Sequence, residues 1–179
     1  MKPDKPAIRT QGMTISRRTF FLTAAALPMA ACAAEAQQIP TAANEARYAN
    51  DPVRRLTEAQ WRARLEPPAF RVLRQEATER AGTNPLDSEH RRGTFVCAGC
   101  ELELFRSEWK FNSGTGWPSF FRVSETNIGT KGDVLLFTPR TEYHCARCLG
   151  HQGHVFEDGP RPTGLRYCNN GAALRFVPA

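Results

Sequence analysis

The chain lacks the basic stripe that is typical of nucleic-acid-binding proteins, although its formal net charge is +6. Most of that excess lies before residue 93, and residues 93–179 carry nine Lys and Arg against eight Asp and Glu. No Lys follows the Gly-rich stretch Ser113–Phe120, and no helical pattern begins there. Phosphate-cradling loops need both features. The sequence therefore gives no support for a nucleic-acid partner or for a phosphate-binding loop.

A long apolar run is also missing, since a bilayer span needs about 20 apolar residues. The run that follows the twin-arginine pattern Ser16–Phe21 is interrupted by Pro28 and ends near Ala34. Ala34–Ala36 then supplies a small-x-small cleavage signal, so residues 1–36 are predicted to be a twin-arginine signal peptide that directs export, to the periplasm. Lipid attachment at Cys32 is an alternative that would bring the protein to a membrane.

Residues 37–55 are rich in Ala, Asn, Gln, Thr and Pro, and we predict a linker there. The sequence Thr57–Gln60 matches a capping box that begins a short helix, and Pro67 and Pro68 are expected to end it. A second helix is predicted from Ala69 to Arg80. Residues 56–92 are therefore interpreted as a helical lead-in with a packing role.

From Gly93 onward no long helical pattern separates the strand-like segments, which excludes parallel βαβ winding. Residues 93–179 are predicted to form a mainly β (α+β) core of antiparallel sheets, arranged as an open barrel or a sandwich. The segments with strand composition are 94–96, 102–105, 119–123, 134–138, 154–156 and 174–177.

Cysteine is scarce, with six in the chain, and four of them form two C-x-x-C pairs. The pairs are Cys97 with Cys100 and Cys145 with Cys148. Two such pairs are the usual ligand set of one structural zinc ion, which four thiolates leave without an open position. Two disulfides, redox-active pairs and iron in place of zinc are the alternatives.

Cys168 is the cysteine that follows the signal segment and belongs to no pair. In an extended strand, Arg166, Cys168 and Asn170 would share one face, which gives a thiol, a cation and an amide on one surface. The sequence also places two histidines, His151 and His154, and the acidic Asp158 shortly before this stretch. Histidines in this setting favour proton transfer beside a reactive cysteine.

In these features the chain resembles the B-type peptide-methionine (R)-S-oxide reductases. The resemblance covers Gly93 to Pro178 and is compatible with the lead-in from Leu56. The motifs that carry it are Cys97-x-x-Cys100, Ser113-Gly114-x-Gly116-Trp117-Pro118-Ser119-Phe120, Arg140-Thr141-Glu142, Cys145-x-x-Cys148, His151-x-Gly153-His154-Val155-Phe156, Asp158-Gly159-Pro160 and Arg166-Tyr167-Cys168.

The resemblance implies two antiparallel sheets, short N-terminal helices and one structural zinc ion on the four paired cysteines. It also implies an oxidoreductase that repairs oxidised proteins, with Cys168 as nucleophile and with oxidised proteins or peptides as substrates. Thiolate attack would leave a sulfenic acid, and His154, or His151 through a water, would supply a proton. We expect a monomer. The implied pocket residues are Trp117 against the substrate methyl group, with His151, His154, Asp158, Arg166 and Asn170.

Thr115 departs from the family, because many members carry a resolving cysteine at this loop position. If the four paired cysteines hold zinc and Cys32 is removed, we expect an external small thiol or thioredoxin-like protein to reduce Cys168. Gln152 is expected to make the pocket wall more polar, and Asn169 to affect packing. The alternative function is an exported, non-catalytic zinc-ribbon-like module that binds a protein, and a disulfide-stapled domain is a third reading.

Overall fold

Two antiparallel sheets form the body of the computed structural model, which describes residues 41–135 and 138–179. The strands in this part of the chain are β1 Gly93–Cys97, β2 Glu103–Arg106, β3 Lys110–Phe111, β4 Ser119–Phe120, β5 Ile128–Leu135, β6 Thr138–Cys145, β7 His151–Phe156, β8 Arg166–Asn169 and β9 Leu174–Pro178. One sheet has the order β2-β1-β9, and the other has the order β3-β4-β8-β7-β6-β5. Antiparallel pairing confirms the predicted mainly β class.

Aromatic side chains join the two sheets into an open sandwich. Phe105 of the three-stranded sheet stacks on Phe120 of the six-stranded sheet, with ring centroids 4.0 Å apart. Phe95 contacts the same Phe120 ring edge-on at 5.0 Å. Tyr143 and Tyr167 continue this layer along the larger sheet, and their centroids lie 5.5 Å apart. All five side chains are buried, so this aromatic layer is the core that fixes the two sheets face to face.

Three α-helices precede the sheets in the described residues: α1 Thr41–Ala46, α2 Glu58–Arg64 and α3 Pro67–Gln75. The predicted capping box is confirmed, because the Thr57 side chain and the Gln60 side chain bond each other's backbone N–H groups. The two prolines begin α3 instead of only ending α2, which suits a residue without an N–H group. None of the described helices has the length and hydrophobicity that a membrane span requires.

The prediction of a linker over residues 37–55 is wrong for its described part. Helix α1 packs on β5, where buried Asn44 donates Nδ2 hydrogen bonds to the carbonyl oxygens of Glu125 and Ile128, at 2.7 and 2.9 Å. Arg54 also donates to the Ala146 carbonyl oxygen at 2.6 Å. These partners are 81 to 92 residues away in sequence, so local composition could not reveal them. The predicted signal peptide, 1–36, lies outside the described residues.

The strand predicted over residues 134–138 is divided between the two strands of a long hairpin, because β5 ends at Leu135 and β6 begins at Thr138. Strand β5 pairs with β6 from Ile128 opposite Cys145 to Leu135 opposite Thr138. Charged residues occupy alternate positions of this hairpin, with Lys131 opposite Glu142 and with Asp133 opposite Arg140, and these positions share one face. The hairpin therefore carries a charged face next to β7.

Candidate functional site

The four paired cysteines form one buried cluster whose sulfur atoms all lie within 4.8 Å of one another. The Sγ atoms of Cys97 and Cys148 are 3.6 Å apart, and those of Cys100 and Cys145 are 3.4 Å apart. A disulfide needs a separation of about 2.05 Å, and the five cysteines of the described residues are all free. Four sulfurs at about 2.3 Å from one tetrahedral ion would lie about 3.8 Å apart. The cluster therefore fits a metal ion and not two disulfides.

The two C-x-x-C turns are built in the same way. In each turn the first cysteine accepts a backbone hydrogen bond from the residue four positions later, Glu101 or Leu149. Both of these residues have a left-handed backbone, with φ of 64° and 58°. The first turn follows β1 and the second follows β6, so each sheet contributes one pair of sulfurs. A bound ion would thus link the two sheets.

Gln152 donates a hydrogen bond from Nε2 to the Sγ atom of Cys97, at 3.4 Å, and is fully buried. An amide donor aimed at sulfur stabilises a thiolate, which is the form that binds a metal ion. The expectation that Gln152 lies in the wall of a pocket around Cys168 is therefore wrong, because its side chain faces the four cysteines. The bulge in the β6–β7 pairing next to Gln152 shifts the strand alternation at this point.

Cys168 lies half-buried on β8, on the face opposite the aromatic core. Tyr167 and Asn169, its neighbours in the strand, point into the core, where Asn169 Oδ1 accepts a hydrogen bond from the Tyr143 hydroxyl at 2.6 Å. Opposite Cys168 stand His154 of β7 and Ser119 of β4. A Cβ atom at Gly153 would lie 1.9 Å from the Cys168 carbonyl oxygen, so glycine allows β7 to approach this closely.

Burial is the main influence on the Cys168 thiol and raises its pKa above the ordinary value. Arg166 opposes this effect through its positive charge and a hydrogen bond, and Thr115 opposes it through a hydrogen bond. Arg166 therefore acts in the direction that favours the thiolate. The net pKa of Cys168 nevertheless remains raised, because burial destabilises the thiolate more than Arg166 and Thr115 stabilise it.

Arg166→Met is expected to raise the Cys168 pKa further and to slow alkylation by iodoacetamide at neutral pH. The reason is that only the thiolate reacts, and the cation that favours it would be gone. The measurement is the rate of Cys168 alkylation against pH, followed by mass spectrometry. Arg175→Met, which removes an exposed arginine paired with Glu101, is the matched control and should leave the midpoint unchanged. A midpoint that stays or falls in Arg166→Met would contradict this electrostatic assignment.

His154 and Cys168 face each other across the β7–β8 pair. The His154 Nε2 atom lies 2.7 Å from Asp133 Oδ2, and Asp133 also pairs with Arg140. Burial lowers the pKa of His154, partly opposed by Asp133. Asp158, which is close to the histidines in sequence, instead accepts two hydrogen bonds from Arg166, at 2.7 and 2.8 Å.

His151 lies beside His154, with ring centroids 5.5 Å apart, and is buried. Its Nδ1 atom is 2.8 Å from Glu142 Oε1, while its buried Nε2 atom has no hydrogen-bond partner. Glu142 also bonds His144 at 3.1 Å, and Glu45 of α1 holds the other ring nitrogen of His144 at 3.0 Å. Burial opposes ionisation of Glu142, but the two histidines outweigh it and lower its pKa to about 2.

Trp117 and Asn170 are both held by the loop that follows α3. The Trp117 indole Nε1 donates to the Glu79 carbonyl oxygen at 3.1 Å, and the Asn170 amide oxygen accepts from the Glu79 backbone N–H at 3.0 Å. Asn170 lies just past the end of β8 and also donates to the Gln152 carbonyl oxygen. Strand alternation therefore places Arg166 and Cys168 on one face but does not extend to Asn170.

A row of hydroxyl groups approaches Cys168 from the Gly-rich loop. Ser113 Oγ lies 2.8 Å from both Thr115 Oγ1 and Ser119 Oγ, and Thr115 acts to lower the pKa of the Cys168 thiol. Gly116 makes this loop possible, because its φ is 83° and a Cβ atom there would lie 2.8 Å from the Gly82 backbone nitrogen. The loop thus presents a hydroxyl group, and not a thiol, to Cys168.

Three of the sequence-predicted residues lie on elements adjacent to Cys168. His154 is on β7, Arg166 is on β8, and Asp158 is in the loop between these strands. Sequence reasoning missed the roles of Asp133, Glu142 and Glu79. The alternating charges of the β5–β6 hairpin were the available signal for the first two. Glu79 gave no signal, because its contacts depend on chain segments 38 to 93 residues away.

The SelR domain model matches residues 65–178. A peptide methionine sulfoxide reductase MsrB from Bradyrhizobium diazoefficiens is 52% identical over 123 residues, which are 68% of this chain and 88% of the relative. The MsrB proteins of Leptospira interrogans and Methanosarcina barkeri are 47% and 48% identical over 121 residues, or 67% of this chain and 92% and 85% of those proteins. The matched region contains the cysteine cluster and every residue of the Cys168 site except Glu45.

Proposed function

Because the chain belongs to the SelR domain family and is a peptide methionine sulfoxide reductase, we propose that it reduces methionine-R-sulfoxide in oxidised proteins through Cys168. The observation that carries this proposal is the pairing of a thiol with a histidine across two strands, beside an arginine and a threonine that both lower the pKa of the thiol. The family membership sets aside a non-catalytic protein-binding module and a disulfide-stapled domain.

In the proposed first step, the Cys168 sulfur attacks the sulfoxide sulfur. The new sulfur–sulfur bond and the sulfur–oxygen bond of the substrate then both break as a bond forms between the Cys168 sulfur and the oxygen. The oxygen passes to Cys168 as a sulfenic acid, the thiol proton is returned to that oxygen, and methionine leaves as the thioether. His154, opposite Cys168, is the group that relays this proton. Asp133 holds the His154 ring at 2.7 Å and fixes which nitrogen carries the proton.

The buried, unpartnered Nε2 atom of His151 supports a second polar contact to the sulfoxide oxygen, directly or through a water. Glu142 holds the opposite nitrogen of this ring at 2.8 Å, which fixes the ring plane. Trp117 presents an indole ring that can receive the substrate methyl group, and its steric placement selects between the two sulfoxide epimers. Arg166, held by Asp158, favours the attacking thiolate.

Recycling in this proposal uses an external thiol, because the Gly-rich loop beside Cys168 offers Thr115 and no cysteine. One thiol condenses with the sulfenic acid to give a mixed disulfide and water, and a second thiol then releases Cys168 as a thiol and leaves as part of a disulfide. A small thiol or a thioredoxin-like protein is the chemical class of donor. The other four described cysteines form the buried cluster. In this proposal they hold a metal ion and therefore do not supply the resolving thiol.

Thr115→Cys is expected to change the product of a single turnover from a free sulfenic acid to an intramolecular disulfide between positions 115 and 168. The reason is that Thr115 lies close enough to Cys168 to lower the pKa of its thiol. The measurement is mass spectrometry after one turnover without reductant, with dimedone as the trap for sulfenic acid. Thr163→Cys, in an exposed loop, is the control and should behave as wild type. A disulfide to Cys168 in the wild-type chain would contradict external recycling.

We also propose that the metal at the cysteine cluster is zinc, which four thiolates bind as a closed tetrahedral site. Cys97, Cys100, Cys145 and Cys148 would hold it, and it would supply stability and no catalytic step. The Gln152 amide on Cys97 supports a bound metal ion at this cluster, since it favours a thiolate. Export by the twin-arginine signal to the periplasm, with Cys32 as an alternative lipid site, stays a prediction from the sequence.

A further inference from the structure

Glu79 lies in the loop that follows α3, a segment predicted to have only a packing role. Its backbone contacts two of the side chains that the resemblance places in the pocket, because its carbonyl oxygen accepts from Trp117 Nε1 at 3.1 Å and its N–H donates to Asn170 Oδ1 at 3.0 Å. These two side chains stand on separate elements, the Gly-rich loop and the end of β8. One residue thus joins both elements.

The Glu79 carboxylate fixes this loop to the segment that follows Cys168. Its Oε1 atom accepts from the Gly171 backbone N–H at 2.5 Å, and its Oε2 atom accepts from the Ala172 N–H at 2.9 Å. These are the first amides of the 3-10 helix Gly171–Ala173, so the carboxylate satisfies orphan donors at a helix start.

Asn84, at the other end of the loop, also holds the Glu79 carboxylate. Its Nδ2 atom donates to Glu79 Oε2 at 3.2 Å, and a Cβ atom at Gly171 would lie 2.3 Å from the Asn84 Cγ atom. The glycine therefore leaves the space that this amide occupies. The carboxylate, the amide and the glycine together set the position of the loop against β8.

We infer that Glu79 is a positioning residue of the active site, and this inference rests on the proposed sulfoxide reductase function. The carboxylate does not reach the reacting atoms. It holds the loop in the position from which the Glu79 backbone orients the Trp117 ring and the Asn170 amide. Loss of the carboxylate would let both side chains move, and small displacements of positioning groups cost activity strongly. The effect falls on substrate binding, because Trp117 is the proposed contact of the substrate methyl group.

Glu79→Ala is expected to raise KM for a methionine-R-sulfoxide peptide about tenfold and to change kcat less than about threefold. The matched control is Asp51→Ala, which removes another carboxylate that caps a 3-10 helix, at Val53 N, away from Cys168. The control should lose thermal stability but keep its KM. Glu79→Gln, which keeps one acceptor oxygen, should lie between wild type and Glu79→Ala, and it serves as the test if Glu79→Ala does not fold.

A second readout does not depend on activity. The Trp117 indole N–H gives one ¹H–¹⁵N signal, which Trp117→Phe assigns among the three tryptophans, and it is expected to shift in Glu79→Ala but not in Asp51→Ala. A folded Glu79→Ala variant with the wild-type KM and an unmoved Trp117 signal would overturn the inference. A wild-type chain that reduces no sulfoxide would instead overturn the proposed function, and the indole signal would still decide whether Glu79 positions Trp117.

Discussion

Cys168→Ser is expected to lower the reduction of methionine-R-sulfoxide peptides by at least about 10³-fold, while the fold and the metal content remain those of wild type. A hydroxyl group at this position can neither take up the sulfoxide oxygen nor supply the two electrons that a thiol gives to the substrate. Its loss of packing is small, because Cys168 is half-buried on the outer face of β8. The measurements are kcat/KM with dithiothreitol as reductant, zinc per chain and the thermal midpoint.

The outcome that contradicts this assignment is a Cys168→Ser variant that keeps more than a tenth of the wild-type kcat/KM. Such a result would move the nucleophile to one of the four clustered cysteines. A variant with less metal or a lower thermal midpoint as well as lower activity would show instead that Cys168 supports the fold. The half-buried position of Cys168 and its separation from the cysteine cluster argue against that outcome.

Cys145→Ser is expected to lose the bound metal and to unfold at much lower temperature than wild type. Binding of structural zinc contributes about 10–16 kcal/mol in zinc-finger peptides, whereas a whole domain is stable by about 5–15 kcal/mol. In this chain the cluster links the turn after β1 with the turn after β6, one from each sheet. Loss of the metal would therefore remove a connection between the two sheets. The substitution would also leave a serine buried among three thiols. The measurements are zinc per chain and thermal unfolding, with and without a chelator.

Cys168→Ser is the matched control for this second prediction, because it makes the same chemical change outside the cluster. We expect opposite results for the two variants. Cys168→Ser should lose activity and keep its metal, whereas Cys145→Ser should lose its metal and its stability. A Cys145→Ser chain that kept the wild-type thermal midpoint would contradict a structural metal at this site. A wild-type chain with iron in place of zinc would correct the identity of the metal and leave its structural role standing.

Local chemistry explains why much of the site could be predicted from the sequence. The spacing of Cys97 and Cys100, and of Cys145 and Cys148, brings two sulfurs together within each turn. Identical backbone hydrogen bonds in both turns show that the turn itself fixes this geometry. The capping box at Thr57 is likewise local and was predicted correctly.

The errors concern residues whose roles depend on register between distant strands. Asp158 is close to the histidines in sequence, but it turns to Arg166, and Asp133 reaches His154 from the β5–β6 hairpin. Only the pairing of β6 with β7 brings this hairpin beside the histidines. Glu79 and helix α1 were missed for the same physical reason, since their hydrogen-bond partners lie on segments that the fold, and not the spacing, places next to them.

The most direct test of the central claim is a reduction assay with two peptides that differ only in the epimer of one methionine sulfoxide, run first with dithiothreitol and then with thioredoxin. Mass spectrometry follows the loss of one oxygen from each peptide. We expect wild type to reduce the R-sulfoxide and to leave the S-sulfoxide unchanged, and Cys168→Ser to reduce neither. Equal reduction of both epimers, or reduction of the S-sulfoxide alone, would contradict this claim.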